Sequence, residues 1–172
     1  MTTSVTQKEK GMDTELLYSF CYQLAKRELS GIKRRPHGSM FTHGVRVAEM
    51  FTDHYARCVG VLHDIIEDTG MTAEKLSRCR ACFGTSVEIS YAEHASDDLR
   101  VQYKIPKGII EGVVTLTHLP FEPREQYIDR ICKDKKLIRI KIADITDNLM
   151  DAPSSHAKEK YRRDMVKLLK AL

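Results

Sequence analysis

The sequence predicts an all-α fold, a bundle of helices folded as one domain. Three features carry this. Apolar residues recur at intervals of three and four along most of the chain, and alternation with a period of two is nowhere sustained beyond a few residues. The breaks between the periodic stretches fall at residues that cap or stop helices, such as Asp13, Gly31, Thr72, Pro106 and Pro123.

From Met12 to Leu29, the residues Leu16, Leu17, Phe20, Cys21, Leu24 and Ala25 fall at helical spacing, with Asp13 as N-cap and Gly31 as the stop. Lys33-Arg34-Arg35-Pro36-His37-Gly38 then reads as a basic loop, either a solvated turn or a contact for phosphate or a base. Ser39 or Thr42 caps a second helix with His43 in its first turn. A central helix is expected from Ala56 to Asp68, ended by Thr69-Gly70. Thr72 caps a short helix running to Phe83 and closed by Gly84, and another is expected over residues 86–95, before a Ser96-Asp97-Asp98 loop. Pro106 opens a helix carrying Ile109, Val113 and Leu116, and Pro123 opens one carrying Tyr127, Ile128 and Ile131. Lys136 to Met150 forms a further helix, with Ile138, Ile142, Ile145 and Leu149 at spacings of four, three and four. Tyr161, Met165, Leu168, Leu169 and Leu172 stripe the last one.

A chain of 172 residues with 42% hydrophobic and 30% charged residues suits one globular domain. We expect residues 1–11, polar and without an apolar core, to be a disordered leader and 12–172 to be the domain. No uncharged apolar stretch reaches membrane-spanning length. The five cysteines are odd in number and scattered, which points to free thiols in a reducing cytoplasm. Cys79-Arg80-Ala81-Cys82 has the spacing of half a zinc site, but no second half follows. A net charge of +4 with pI near 8.8 suits an anionic small molecule. A partner nucleic acid is not expected, because no aromatic residues interleave a basic ladder. Self-association is left open.

The chemistry concentrates in Val61-Leu62-His63-Asp64-Ile65-Ile66-Glu67-Asp68-Thr69. Four ionisable groups in an apolar helix must be paired or hold a metal, because each desolvated charge is costly. On a continuous helix His63 stacks one turn from Glu67, and Asp64 one turn from Asp68. A core histidine bonded to Asp64 or to a backbone carbonyl, with Glu67-Asp68-Thr69-Gly70 as a polar helix end, is the plainer reading. His43 and a distant Asp144 shift the balance, since two imidazoles and two carboxylates suit a divalent cation such as Mn, Fe, Co or Ni. Asp144, Asp147 and Asn148 share one helix face, and Lys141 lies one turn before Asp144.

The order H…HD…D resembles that of the HD superfamily of metal-dependent phosphohydrolases. Leu62 to Thr69 is similar to the L-H-D-x-x-E-D-T segment in the hydrolase domain of RelA/SpoT homologues, including the small stand-alone alarmone hydrolases. Gly31 to Arg35 resembles their G-Q-x-R-K, His43 to Ala48 their H-P-x-x-V-A, Phe83 to Val87 their F-G-x-x-V, and Lys141 to Asn148 their K-L-A-D-x-x-x-N. The resemblance runs from about Leu16 to Leu172. It implies an HD-domain helical bundle that hydrolyses a nucleotide, with guanosine 3′,5′-bis(diphosphate) losing its 3′ pyrophosphate. It implies His43, His63, Asp64 and Asp144 as metal ligands, manganese first among the metals, and Glu67 and Asp68 as the catalytic acidic pair. Arg34, Arg35, Lys141 and Asn148 would handle substrate. Several positions depart from the pattern. Met40 replaces a Tyr, Gly44 a Pro, and Met150 an Arg, and the family's V-T-K-L is only loosely echoed by Val114-Thr115-Leu116. Another nucleotide (a nucleoside mono- or triphosphate, NADPH or a cyclic nucleotide) is therefore the alternative substrate, and a non-catalytic nucleotide- or partner-binding module the alternative role.

Overall fold

The computed structural model describes residues 13–34, 38–83, 87–91, 102–151 and 154–172. The leader expected over 1–11, together with Arg35, lies outside them. Helix α3 (His54–Leu62) lies at the centre and packs against α1 (Thr14–Leu29), α2 (Met40–Glu49), α6 (Lys107–Leu116) and α8 (Lys135–Met150). Phe20, Leu24, Leu62, Ile65, Leu76, Ile128, Ile131, Ile138, Ile140 and Ile145 are fully buried around it. Helix α7 (Arg124–Ile131) contributes Tyr127, fully buried, whose hydroxyl donates to the carbonyl of Leu116 at 2.5 Å. Helix α9 (Ser155–Ala171) lies against α7 and α8. Among the described residues, no helix is long and apolar enough to cross a membrane.

The N-terminal caps follow the sequence. Asp13 accepts from the amide of Glu15, and Ser39 and Thr42 form a reciprocal capping box. Thr72 caps α5 (Ala73–Arg78), and Asp134 caps α8.

Among the described residues the regular elements are helices except for one small sheet, and here two expected helices are corrected. Residues 79–83 form β1 (Cys79–Phe83), which pairs antiparallel with β2 (Val87–Tyr91) on one side and β3 (Gln102–Lys104) on the other. Cys79 and Ala81 are buried while Arg80 and Cys82 are not, so the strand alternates as a half-buried strand should. Arg27 of α1 ties the sheet to the bundle, donating to the carbonyl of Ile89 at 3.2 Å and to the Tyr91 hydroxyl at 2.8 Å.

A third correction bears on the site. The central helix is not continuous from Ala56 to Asp68. It ends at Leu62, turns at His63-Asp64, and resumes as α4 (Ile65–Asp68). Asp64 stands at φ −93° and ψ −2°, where its carboxylate caps no amide.

Helices α2 and α3 cross closely because small residues line the contact. A Cβ on Gly44 would sit 2.8 Å from the carbonyl oxygen of Val61, and one on Gly60 would sit 3.3 Å from the backbone of Ala48. That approach brings the His43 ring to 5.0 Å from the His63 ring, measured between centroids.

Candidate metal centre

Two helices and one turn deliver the site. His43 comes from the first turns of α2, His63 and Asp64 from the turn after α3, and Asp144 and Asp147 from the buried face of α8. His43, His63, Asp144 and Asp147 are each at most 4% exposed.

Hydrogen bonding fixes both imidazoles in the same sense. His63 Nδ1 lies 2.7 Å from the Gly60 carbonyl oxygen, which can only accept, so Nδ1 donates. His43 Nδ1 lies 2.6 Å from Asp147 Oδ2. Despite burial, Arg46 and His43 hold Asp147 down to a pKa of about 2, so this carboxylate too can only accept. When neutral, each ring therefore presents the lone pair of Nε2, and both Nε2 atoms face the same space.

The groups facing them are anionic. Asp144 Oδ1 is 3.1 Å from His43 Nε2 and 3.6 Å from His63 Nε2. Asp64 Oδ2 is 3.4 Å and 3.1 Å from the same two atoms. Burial acts to raise the Asp144 carboxyl, but Lys141 and the two histidines overcome it and hold it well below the usual range. The Asp64 carboxyl is likewise lowered, its burial outweighed by His63. Lone pairs and carboxylates at such distances repel unless a positive charge sits among them. A proton on His63 can serve: burial opposes that charge, yet Asp64 and Asp144 raise the ring well above its ordinary value. Even so, His63 Nε2 finds no aligned hydrogen-bond partner among the described residues.

A divalent cation would satisfy the two imidazole nitrogens and Asp64 Oδ2, with Asp144 Oδ1 close to both rings. With ligands at about 2.1 Å, neighbouring corners of an octahedron lie roughly 3 Å apart. The separations found, 3.1 to 3.6 Å, are close to that edge. His43, His63 and Asp64 form a compact group suited to a metal, and the donor set of imidazole and carboxylate fits the borderline cations.

Around this core, Lys141 donates from Nζ to Asp144 Oδ2 at 2.6 Å, and is itself only 9% exposed. Asn148 Nδ2 donates to Asp144 Oδ1 at 2.5 Å. Lys141 and Asn148, expected at the substrate, thus both contact Asp144. Arg34 is held by α8: Nη1 donates to Asp147 at 3.0 Å, Nη2 donates to Asn148 at 2.8 Å, and Nε lies 3.0 Å from Asp151. Glu67 and Asp68 are exposed on α4. Glu67 Oε2 accepts from the His118 amide at 3.0 Å, which links α4 to the loop after α6. Partial burial, with Asp64 and Glu67 adding to it, raises the Asp68 carboxyl to about 6. Lys160 of α9 has Arg124, Asp164, Lys141 and Asp144 as its electrostatic neighbours, and burial and Arg124 lower its pKa.

Two residues of the site have no part in the sequence pattern: Asp147, which shares the helix face of Asp144, and Arg46. Arg46 donates to Asp147 from Nε at 2.6 Å and Nη2 at 2.9 Å.

Neither a family model nor a curated protein matches this sequence. Among solved structures it is similar to one described as a metazoan ortholog of SpoT that hydrolyses ppGpp and plays a role in starvation responses. The two align with a TM-score of 0.61 over 90% of this chain and 84% of that one, at 16% identity. The chain has the HD-type fold. At that identity the likeness establishes the helical architecture and nothing of the substrate. Within this HD-type fold, the space between α2, α3 and α8 holds the convergent histidines and aspartates.

Proposed function

We propose that the protein is a metal-dependent phosphohydrolase acting on a nucleotide, with guanosine 3′,5′-bis(diphosphate) as its substrate. The observation that carries this is the meeting of two imidazole lone pairs with two ionised carboxylates in a buried space. His43, His63, Asp64 and Asp144 hold the cation, manganese first among the candidates. A bound cation supplies Lewis acidity at phosphorus and eases ionisation of the attacking water.

The chain's own residues do the rest. Asp68, titrating near 6, is tuned to take a proton from water at neutral pH. Glu67, anchored to the His118 amide, raises Asp68 through its charge and orients the water with it. Water attacks the phosphorus attached to O3′, the P–O3′ bond breaks, pyrophosphate departs, and the proton held by Asp68 is available to the sugar oxygen. Lys141 and Asn148 fix Asp144. The nitrogens of Arg34 are occupied by α8, so it offers a nucleobase its planar face rather than a phosphate its donor edge. Lys160, half-buried with Arg124 and Lys141 as cationic neighbours, favours an anionic substrate.

The departures on the substrate side favour a second reading, in which the same centre hydrolyses another nucleotide. Met150, where the resembled pattern has arginine, is 74% exposed and offers no charge to a phosphate. Purified protein with Mn2+ and a nucleotide panel separates the two. Pyrophosphate release from ppGpp supports the first, turnover of a different nucleotide alone supports the second, and no turnover of any phosphoester rejects both.

A further inference from the structure

Asp147 is the most heavily bonded side chain in the site, yet none of the hydrolytic steps above assigns it a part. It is 1% exposed. Its Oδ2 receives His43 Nδ1 at 2.6 Å, Arg46 Nη2 at 2.9 Å and Arg34 Nη1 at 3.0 Å, while Oδ1 receives Arg46 Nε at 2.6 Å. One buried carboxylate thus joins the ring on α2 to the arginine before α2 and to the half-exposed arginine one turn later. A fold needs no such convergence on the rear nitrogen of a histidine whose front nitrogen faces two carboxylates.

We propose that Asp147 is a positioning residue for the cation. It holds His43 in the tautomer that presents Nε2 and makes that nitrogen a better donor, while Arg46, from the protein surface, offsets its charge and so sets the affinity. This rests on the metal-centre reading above. A carboxylate behind a metal-binding histidine fixes the ring and raises its basicity, and losing it weakens metal binding by about 10–100-fold. Arg46 acts in the opposite sense. Its positive charge opposes a second cation nearby and draws electron density from Asp147.

The test is calorimetric titration of the full chain with Mn2+, independent of catalysis. Asp147→Asn keeps a carbonyl acceptor for Nδ1 but removes the charge, and should weaken Mn2+ binding about 10–100-fold with the melting temperature of the metal-free protein measured alongside. Arg46→Gln should tighten binding severalfold. If the hub served only to hold helices together, both variants would weaken it. Asp151→Asn, which disturbs Arg34 and Arg46 without touching His43, should leave affinity within about threefold, the scatter expected of context-dependent contacts. Should Asp147→Asn fail to fold, Arg46→Gln decides alone, with tightening supporting the proposal and weakening or no change overturning it. Unaltered affinity in a folded Asp147→Asn overturns it as well. A wild-type protein that binds no Mn2+ rejects the metal-centre reading itself.

Discussion

Replacing Gly44 by alanine tests the link between the helix crossing and the site. In an unobstructed helix interior the substitution stabilises by roughly 0.5–1 kcal/mol, because glycine loses more backbone entropy on folding. Gly108, in the first turn of α6, is a matched control: a Cβ there meets nothing within 4 Å. At Gly44 the new Cβ would lie 2.8 Å from Val61 O, 3.4 Å from its carbonyl carbon and 3.5 Å from its Cα. All three are backbone atoms of α3, so no side chain can rotate away, and the helices must part by several tenths of an ångström. Overpacking of this kind costs about 1–3 kcal/mol, which outweighs the entropic gain by about 1–2 kcal/mol. For a domain of this size each kcal/mol moves the melting temperature by about 2–4 °C, so Gly44→Ala should lower it by about 2–8 °C and Gly108→Ala should raise it slightly. Circular-dichroism melts in chelator measure both. Because His43 adjoins Gly44, Mn2+ affinity should fall in the first variant only. If Gly44→Ala melted at or above the wild type, the close crossing would not be what places His43 beside His63.

Three further outcomes are expected. Lys141→Met removes the buried partner of Asp144, and breaking such a pair costs about 3–5 kcal/mol, so the chelated protein should melt far lower, with Mn2+ restoring part of the loss because it replaces the missing charge. Asp68→Asn should lower kcat by about 10²–10⁴-fold while Mn2+ binding in calorimetry stays intact, and the wild-type acid limb should fall at or below about 6, since a bound cation can only lower Asp68 further. The third concerns His63, whose ring titrates well above its ordinary 6.5 in the metal-free fold, through Asp64 and Asp144 working against burial. A group raised on folding contributes stability that is complete below its unfolded value and is lost as pH climbs through the folded one. Melting of chelated protein should therefore decline as pH rises above about 6.5. Mn2+ should cancel the decline while releasing protons, and at 100 times its dissociation constant should add about 2.7 kcal/mol.

The helical frame was readable because its signals are local. Asp13, Ser39 and Thr72 cap where their side chains reach an amide two or three residues on, and the spacing of Phe20, Leu24 and Ile138 reports burial directly. The sheet was not readable in the same way. Cys79-Arg80-Ala81-Cys82 has little strand preference, and β1 is a strand because Val87–Tyr91 and the distant Gln102–Lys104 pair with it. The period-two burial of Cys79 and Ala81 was a signal, but a brief one. At the site, residue types and order brought His43, His63, Asp64 and Asp144 together. What they did not disclose was which bonds each residue keeps. Lys141 lies three residues before Asp144 on one helix, so that pairing was within reach of the spacing, but that the nitrogens of Arg34 are occupied by α8 depends on how α8 rotates against α2 and the loop before it.

The interruption at His63-Asp64 explains why the turn, rather than an unbroken helix, suits this chemistry. On a straight helix Asp64 would point about 100° around the axis from His63, since each residue advances 1/3.6 of a turn. One residue could then face Asp144 but not both. With α3 ended at Leu62, the Gly60 carbonyl is free to accept from His63 Nδ1, which aims Nε2 inward. Asp64, at ψ −2° and capping nothing, can bring Oδ2 to 3.1 Å from that Nε2 and 3.4 Å from the ring on α2. The backbone then returns to helix at once, with the Asp68 amide donating to the Asp64 carbonyl at 2.9 Å. That return sets Asp68 one turn beyond Asp64, near enough for the Asp64 charge to help raise its carboxyl to about 6. A single break in one helix thus yields both the inward pair that would grip a cation and the outward acid that would manage the proton.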